Sequence, residues 1–446
     1  MFDFECQEAF VKRVGNFRSL LAIIVFCAAI PATLAAQQFK TAVEFDGTNG
    51  GNPVNGPLAQ GPDGSFYGTT QFGGDYSCGS VDGCGTIFKV SPTGKLTTLY
   101  TFCAKSNCAD GASPLGGLVL ATDGNFYGTT YLGGSNCILK TGACGSVFKV
   151  TPAGELTTLY SFCSKLGCGD GAGPVAALIQ GVDGDLYGAT SIGGSLNCDT
   201  GCGTVFRITP GGNLTTLFLF GLFSTDGINP YAPLVQGNDG NFYGTTAQGG
   251  NACLEDLDGC GIVFQLTPQG SERILYSFCA DYFSCVDGGS PYAGLVQASD
   301  GDFYGTTSYS NAGTIFRITP QGALTTLYKF CSLPNCTDGG GPDASLIQAT
   351  NGALYGTTAY EGDISLCQDI GCGTIFEFTL ANGLRTLHTF QSSDGQNPES
   401  PLTQSTAGFF VGTTYQGGAS DKCFFVGCGT VYGVSTGLHP FVAFVN

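Results

Sequence analysis

Seven copies of one short sequence pattern recur along the chain at nearly regular intervals. Consecutive copies lie 51 to 61 residues apart. A period of this length is typical of solenoids and propellers, in which each repeat buries its apolar surface against its neighbours. The pattern, FYGTT or a close variant, begins at Phe66, Phe126, Leu186, Phe242, Phe303, Leu354 and Phe410.

Each repeat contains four short apolar segments separated by turns. In order, these are a run ending in Gln, the FYGTT segment, a GTIFKV-like segment and an LTTLYSF-like segment. Their Thr, Tyr, Phe, Val and Leu content favours strands. Asp-Gly or Asn-Gly between the first two segments indicates a hairpin, since both turn residues need positive φ. These turns begin at Asp63, Asp123, Asp183, Asp239, Asp300 and Asn351, and only Ala407-Gly408 departs from the pattern.

Four antiparallel strands repeated seven times predict an all-β fold, a seven-bladed β-propeller. Radial closure removes the exposed strand edges that an open array would present. A β-solenoid is the alternative, but its repeats are usually shorter and lack hairpin turns. Charged residues make up only 11% of the chain and glycine contributes 72 of 446 residues, which also favours strands and tight turns.

The first segment after the N-terminal region predicts how the ring closes. Phe39–Phe45 (FKTAVEF) resembles a fourth strand but precedes the first repeat. The last repeat would need Pro440 in its own fourth strand, and proline cannot donate a ladder hydrogen bond. We therefore predict that Phe39–Phe45 supplies the fourth strand of the last blade.

Residues 1–36 have the pattern of a secretory signal peptide, which leaves residues 37–446 as a single propeller domain. Lys12, Arg13 and Arg18 are followed by an apolar run, Leu20–Ile30, that is too short to span a bilayer comfortably. Small residues precede Gln37, where cleavage would occur. A membrane anchor is the alternative. We expect a mature chain without a membrane span, either secreted or located at the cell surface or in the periplasm.

Twenty of the 22 cysteines form ten neighbouring pairs within the repeats. Repeats that lack one member of a pair lack the other, as in Ser308–Phe316, Phe218–Gly227 and Thr389–Gly395. Joint loss is expected of covalently bonded partners. A zinc site needs four ligands, whereas each loop offers two cysteines without a neighbouring histidine. We therefore predict the disulfides Cys78–Cys84, Cys103–Cys108, Cys137–Cys144, Cys163–Cys168, Cys198–Cys202, Cys253–Cys260, Cys279–Cys285, Cys331–Cys336, Cys367–Cys372 and Cys423–Cys428, and no metal site.

Charge and histidine content restrict the possible functions. The net charge of −18 disfavours nucleic acid and anionic membrane surfaces as partners. The chain has two histidines, His388 in a fourth strand and His439 near the C-terminus, so a serine–histidine nucleophile is disfavoured. We predict no catalytic residue, although loop carboxylates leave carbohydrate chemistry open.

Three polar positions recur once per repeat. An Asp after the fourth strand is interpreted as a residue that braces the loop, and no cofactor is then expected. Coordination of Ca²⁺ by these carboxylates is the alternative. The Tyr of the YGTT pattern is interpreted as packing with a satisfied hydroxyl, and carbohydrate stacking is the alternative. A Gln near the channel would form bonds between blades or contact a ligand; this ring comprises Gln60, Gln180, Gln236, Gln297, Gln348 and Gln404, with Leu120 in the second repeat.

The repeats resemble the GloVer (Gloeo/Verruco) tandem-repeat family of exported bacterial proteins. The resemblance is carried by Gly294–Thr307 (GLVQASDGDFYGTT), Gly313–Phe330 (GTIFRITPQGALTTLYKF) and the Asp-Gly before each next repeat. The family implies no established reaction. A more distant likeness to virginiamycin B lyase-type propellers would imply histidine and a divalent cation, but neither histidine lies in a suitable loop.

Two functions are compatible with these observations. The first is a secreted or cell-surface binding or scaffold module, expected to be monomeric, whose partner is unidentified, with a carbohydrate or a surface protein as the options. The second is an extracellular polysaccharide-active enzyme, a hydrolase or a lyase, that uses loop carboxylates. An asymmetric cleft holding two carboxylates about 5 to 10 Å apart would favour the enzyme, and a near seven-fold surface would favour binding.

Overall fold

The computed structural model describes residues 37–440, apart from 54–55, 77, 79, 138–141, 196, 224, 251–259, 280–284, 309–311, 368, 421, 424–426 and 439. The predicted signal peptide at residues 1–36 lies outside the described residues. Among those that are described, no helix has the length and apolar character needed to cross a membrane.

The described residues form seven four-stranded antiparallel sheets, which confirms the predicted all-β, seven-bladed propeller. The first, innermost strands are Ala59–Gln60, Val119–Leu120, Ile179–Gln180, Val235–Gln236, Val296–Gln297, Ile347–Gln348 and Thr403–Gln404. The second strands are Phe66–Thr70, Phe126–Thr130, Leu186–Thr190, Phe242–Thr246, Phe303–Thr307, Leu354–Thr358 and Phe410–Thr414. The third strands are Thr86–Val90, Ser146–Val150, Thr204–Ile208, Ile262–Leu266, Thr314–Ile318, Thr374–Thr379 and Thr430–Ser435. The fourth, outermost strands are Leu96–Thr101, Leu156–Ser161, Leu214–Leu219, Glu272–Ser277, Leu324–Lys329, Gly383–Thr389 and, for the last blade, Gln38–Glu44.

A few short elements lie in the loops between these strands. Gly227–Ile228 pairs with Gln248–Gly249 as a two-stranded ribbon. The loops that follow three of the fourth strands contain short 3₁₀ helices, at Ser106–Cys108, Leu166–Cys168 and Pro334–Cys336.

The N-terminal strand closes the ring, as the sequence predicts. Gln38–Glu44 pairs antiparallel with Thr430–Ser435, and Phe39 lies opposite Val434. Just beyond the strand, the Phe45 N–H donates to the Gly429 carbonyl at 3.0 Å. The last blade is therefore built from both ends of the propeller domain.

The glycine of the second strand is required by packing inside each blade. At Gly188, a Cβ would lie 2.6 Å from Cδ2 of Leu178, the residue just before the first strand, and 2.8 Å from the Phe206 ring of the third strand. These two side chains meet directly over the glycine and bury one another. Any larger residue would displace the core of the blade.

Aromatic side chains join one blade to the next. The Tyr187 ring lies 4.0 Å from the Phe242 ring of the following blade, and the Tyr243 ring lies 4.1 Å from Phe303. The Tyr187 hydroxyl donates to Asp183 Oδ2 at 2.7 Å, so the buried phenol keeps a hydrogen-bond partner. The repeated tyrosine therefore packs between blades.

Antiparallel pairing sorts the loops onto two faces. The hairpins that join the first to the second strand and the third to the fourth lie on one face, which we call the hairpin face. The longer connections, from second to third strand and from the fourth strand to the next blade, lie on the opposite face, which we call the loop face. All the predicted disulfide positions are in these longer connections.

The described disulfides follow the predicted pairs. Cys253 lies outside the described residues, while its predicted partner Cys260 is disulfide-bonded. The nine described bonds are Cys78–Cys84, Cys103–Cys108, Cys137–Cys144, Cys163–Cys168, Cys198–Cys202, Cys279–Cys285, Cys331–Cys336, Cys367–Cys372 and Cys423–Cys428.

Deleting Phe39–Phe45 should lower the melting temperature sharply in differential scanning calorimetry. The deletion removes the outer strand of the last blade together with Val43 and Phe45, which are buried. Burial of two such side chains stabilises a fold by about 1.5 to 3 kcal/mol each. Phe45→Ala should reproduce much of the loss, at about 3 to 5 kcal/mol. Lys40→Ala, at an exposed position of the same strand, is the control. A deletion variant that melts like the full chain would contradict this closure.

Candidate functional site

One position in the repeat differs in chemistry between neighbouring blades. On the loop face, each connection into a new blade ends in a proline, and the residue after it begins the innermost segment. The first repeat has Val54 there, outside the described residues. In blades two to seven the position is occupied by Leu115, Val175, Tyr231, Tyr292, Asp343 and Glu399. The position is therefore apolar on one side of the ring and aromatic or acidic on the other.

Four of these residues line a cavity where the innermost segments of blades four to seven meet. The cavity has a volume of about 200 Å³ and is bordered by Tyr231, Tyr292, Asp343 and Glu399. Because these residues come from the inner ends of four blades, the cavity lies at the mouth of the central channel on the loop face. We call this cavity the channel-mouth site.

A second cavity adjoins the channel-mouth site and shares Tyr292 and Asp343 with it. Its volume is about 490 Å³, and its wall includes Ala312 and Tyr360. Ala312 belongs to the fifth repeat, in which only residues 308–313 connect the second and third strands and no cysteine is present.

Tyrosines form much of the surface around the carboxyl groups. The Tyr231 and Tyr292 rings lie 5.6 Å apart. Burial, together with the nearby Glu399 carboxyl, raises the pKa of both Tyr360 and Tyr415 to about 12. The phenol groups therefore stay neutral at any physiological pH.

The two carboxyl groups are poorly solvated and close enough to repel one another. Burial raises the pKa of Glu399 to about 8, and the Asp343 charge adds to that shift. Burial also raises the pKa of Asp343, an effect that the Ser308 hydroxyl opposes by donating to Asp343 Oδ1. No Lys, Arg or His lines either of the two described cavities. At neutral pH the empty site therefore holds at least one proton that an exposed carboxylate would release.

The recurring aspartates of the loop face have a different environment. Asp110 accepts hydrogen bonds from the Tyr100 hydroxyl at 2.7 Å, the Ala104 N–H at 3.0 Å and the Lys105 N–H at 3.1 Å. Asp170 and Asp338 make the same set of contacts in their blades. These carboxylates are occupied by donors that fix the loop, which leaves little capacity for a cation.

The histidines and the clustered sulfurs also have structural surroundings. His388 stacks on Phe39 at 3.6 Å and its Nε2 lies 3.2 Å from Asp394 Oδ2, on the outer side of a blade. His439 lies outside the described residues. The sulfurs of Cys260, Cys279 and Cys285 lie within 4.8 Å of one another, but all three cysteines are in disulfides and offer no thiolate.

Comparison with known families identifies the family to which the chain belongs. Its sequence matches the Gloeobacter/Verrucomicrobia repeat over residues 29–138, 78–282 and 257–443. The chain belongs to this repeat family. No curated protein matches it in sequence.

Solved structures with a similar backbone are also propellers. The periplasmic gluconolactonase of Pseudomonas aeruginosa is 17% identical, with a TM-score of 0.51 over 83% of this chain and 99% of that one. The gluconolactonase XC5397 of Xanthomonas campestris is 15% identical, with a TM-score of 0.38 over 65% and 78%. A chain of the nidogen/laminin complex is 15% identical, with a TM-score of 0.42 over 74% and 94%. At these identities the likeness extends to the fold alone.

The glutamine ring of this Gloeobacter/Verrucomicrobia repeat protein lies on the hairpin face, away from the channel-mouth site. Each glutamine Oε1 accepts the backbone N–H of the residue two positions after the equivalent glutamine or leucine in the preceding blade. The pairs, with N···O distances of 2.8 to 3.2 Å, are Thr122–Gln180, Val182–Gln236, Asn238–Gln297, Ser299–Gln348, Thr350–Gln404 and Thr406–Gln60. The amides thus connect neighbouring blades.

The seventh junction explains why the second repeat has no glutamine. By the same spacing, a glutamine at position 120 would accept from residue 62, which is Pro62 and has no N–H. Leu120 instead packs against a cluster of buried apolar residues. The donor and the acceptor are therefore missing together.

Our reading of the sequence missed the channel-mouth site. Recurrence in every repeat is the pattern that identifies candidate residues in the sequence, and Asp343, Glu399, Tyr231 and Tyr292 do not recur. Aligning the repeats on the proline before each innermost strand reveals the signal. The seven prolines are followed in chain order by Val, Leu, Val, Tyr, Tyr, Asp and Glu, so the two tyrosines and the two acids occupy four consecutive repeats.

Restoring the missing donor and acceptor should create a seventh bond between blades. Leu120→Gln alone should destabilise the protein, because it replaces a packed side chain with an amide that has no partner. In the Pro62→Ala background the same change should cost less, with a coupling free energy of about 0.5 to 1.5 kcal/mol. Denaturant unfolding of the four proteins in the double-mutant cycle measures this coupling. Strictly additive effects would show that the backbone at residue 62 does not serve as the donor.

Replacing Glu399 with Gln should change how stability depends on pH. The folded protein holds a proton on Glu399 up to a pKa of about 8, whereas the unfolded chain releases it near the ordinary value of 4.5. Stability is therefore lost as the pH rises between these values, and the loss is complete above about pH 8. We expect Glu399→Gln to be more stable than the natural protein by about 2 kcal/mol or more at pH 9, with no such gain at pH 4. Glu155→Gln, at an exposed residue of a hairpin-face turn, is the control. Parallel pH profiles for all three proteins would contradict this prediction.

Proposed function

We propose that this protein is an exported binding propeller that holds its ligand at the channel-mouth site. The single observation that carries the proposal is the loss of seven-fold equivalence at the position after the proline. Tyr231, Tyr292, Asp343 and Glu399 replace apolar residues in four consecutive blades and border one cavity. A concave site with aromatic walls and a few convergent polar groups is typical of ligand binding.

Export is proposed from the covalent structure and the N-terminal sequence. Nine described disulfides in one chain fit an oxidising compartment, such as the periplasm or the outside of the cell. The signal-peptide pattern at residues 1–36 points to the same compartments. A carbohydrate or a surface protein that reaches the loop face is the kind of partner such a protein would meet.

The surroundings of the two carboxyl groups favour binding over hydrolysis. Cleavage of a glycosidic bond by paired acids needs one protonated carboxyl and one ionised carboxylate. Burial raises the pKa of both Asp343 and Glu399, and no cationic side chain is among the described residues that line the cavity. The two carboxyl groups therefore have similar surroundings, whereas paired catalytic acids are kept in opposite protonation states by different surroundings.

A polysaccharide-active enzyme remains the second candidate because of Glu399. A carboxyl with a pKa of about 8 is protonated at neutral pH and could serve as a general acid. In that case Asp343 would have to ionise once a substrate was bound. This candidate predicts turnover that falls with Glu399→Gln while binding is retained.

The test combines a glycan and surface-protein array with a turnover assay on the same purified mature protein. We expect binding without turnover, and Tyr292→Ala should weaken that binding at least tenfold. Leu115→Ala, which changes the same repeat position in a blade that does not border the cavity, should bind normally. Melting curves check that each variant is folded.

The outcomes separate the two candidates. Binding that is insensitive to Tyr292→Ala and to Glu399→Gln would contradict the location of the site. Release of product that is abolished by Glu399→Gln would replace the binding proposal with the enzyme. A chain with neither binding nor turnover on the array would contradict both.

A further inference from the structure

The channel-mouth site has acidic groups without any counter-charge. Among the described residues, no donor contacts the Glu399 carboxyl, and its pKa is set by burial and by Asp343 alone. Asp343 has one donor, the neutral Ser308 hydroxyl. Besides the two acids, the described titratable side chains that line the two cavities are Tyr231, Tyr292, Tyr360 and Glu361, and none of them is cationic. A positive charge placed in this cavity would relieve the repulsion between the two acids.

The walls of the cavity are suited to an organic cation. Tyr231 and Tyr292 border the two carboxyl groups in this cavity, and Tyr360 borders the adjoining cavity that Asp343 also lines. Aromatic faces attract ammonium groups electrostatically and also cover their methyl or methylene surface. Several tyrosines around one or two carboxylates form the arrangement that recognises substituted ammonium groups.

A bare metal ion fits this cavity less well. Calcium takes six to eight oxygen ligands, mainly carboxylates and carbonyls. The cavity offers two carboxyl groups and the Ser345 side chain, and apolar lining is supplied by Ala293, Ala344 and prolines. An organic cation needs fewer oxygen ligands, and its carbon atoms pack favourably against the apolar surface. A metal ion would lose hydrating water at the same surface without gaining ligands.

We propose that the channel-mouth site binds a ligand that carries an organic ammonium group, held between Asp343 and Glu399 and enclosed by the tyrosines. This inference rests on the proposed binding function and specifies its ligand class. A free amine, a quaternary ammonium compound and a lysine side chain of a partner protein all present this chemistry.

Charged and neutral probes of matched shape test the proposal on the mature natural protein by isothermal titration calorimetry. The pairs are choline with 3,3-dimethyl-1-butanol, putrescine with 1,4-butanediol, and Nα-acetyl-lysine amide with its Nε-acetylated form. At least one cation should bind about tenfold or more tightly than its neutral counterpart. The member that binds best distinguishes a small free amine from a lysine side chain.

Substitutions of the two acids test whether the cation binds between them. Glu399→Gln and Asp343→Asn should each weaken the best cation about tenfold or more, whereas Glu155→Gln should leave its affinity unchanged. Affinity for choline, whose charge does not titrate, should rise between pH 6 and pH 9 because cation binding favours the deprotonated carboxyl groups. If an acid variant fails to fold, the comparison of charged and neutral probes still decides the matter.

Other outcomes overturn the inference. Equal binding of charged and neutral partners, or calcium chloride binding that Glu399→Gln abolishes, would exclude an ammonium site. Binding of neutral glycans with no response to any cation would refute the inference and leave the binding function intact. Absence of binding to every probe and every array component would refute both.

Discussion

The contact between neighbouring blades is the constraint on which the rest of this structure depends. A four-stranded blade with a two-residue inner strand cannot bury both of its faces alone, so each face must be covered by the next blade. Tyr187 against Phe242 shows how the same side chains meet at successive junctions. Because a ring has no end, the last junction must satisfy the same geometry, and the strand Gln38–Glu44 completes the blade that forms it.

This constraint explains which parts of the protein could be predicted from its sequence. Strands, hairpins and ring closure follow from local patterns that are repeated seven times, so an ambiguous segment in one copy is resolved by the others. Even the departure at Ala407-Gly408 keeps the turn, since Gly408 has a φ of +88°. The cysteine pairs were predictable for the same reason, because joint loss within a repeat reports a local partner.

The channel-mouth site could not be predicted in the same way because it is assembled from residues far apart in the chain. Tyr231 and Glu399 border one cavity although more than two repeats separate them. Their proximity depends on the angle at which blades follow one another around the axis, which no single repeat encodes. The raised pKa of Glu399 is likewise a consequence of enclosure, and an isolated NPES sequence contains no sign of it.

Repetition also limits where a binding site can be placed. A side chain between blades is packed on both sides, as Tyr187 is against Phe242, so variation there would disturb a junction. Disulfides close most connections of the loop face, whereas the connection between the second and third strands of the fifth repeat, residues 308–313, has no cysteine and borders the second cavity. In blades four to seven the residue after the proline lines a cavity instead, so it can vary without disturbing a junction.

The acidity of the chain as a whole supports the chemistry at this mouth. With a net charge of −18 the protein attracts cations within about one Debye length of its surface, roughly 8 Å at physiological ionic strength, and low-dielectric channel walls focus such a field. Asp343 and Glu399 then act at short range, where burial makes an uncompensated carboxylate costly and a neutralising partner correspondingly favourable. Desolvation keeps a proton on Glu399. A bound cation would replace that proton, and it would not have to compete with an ion pair inside the site.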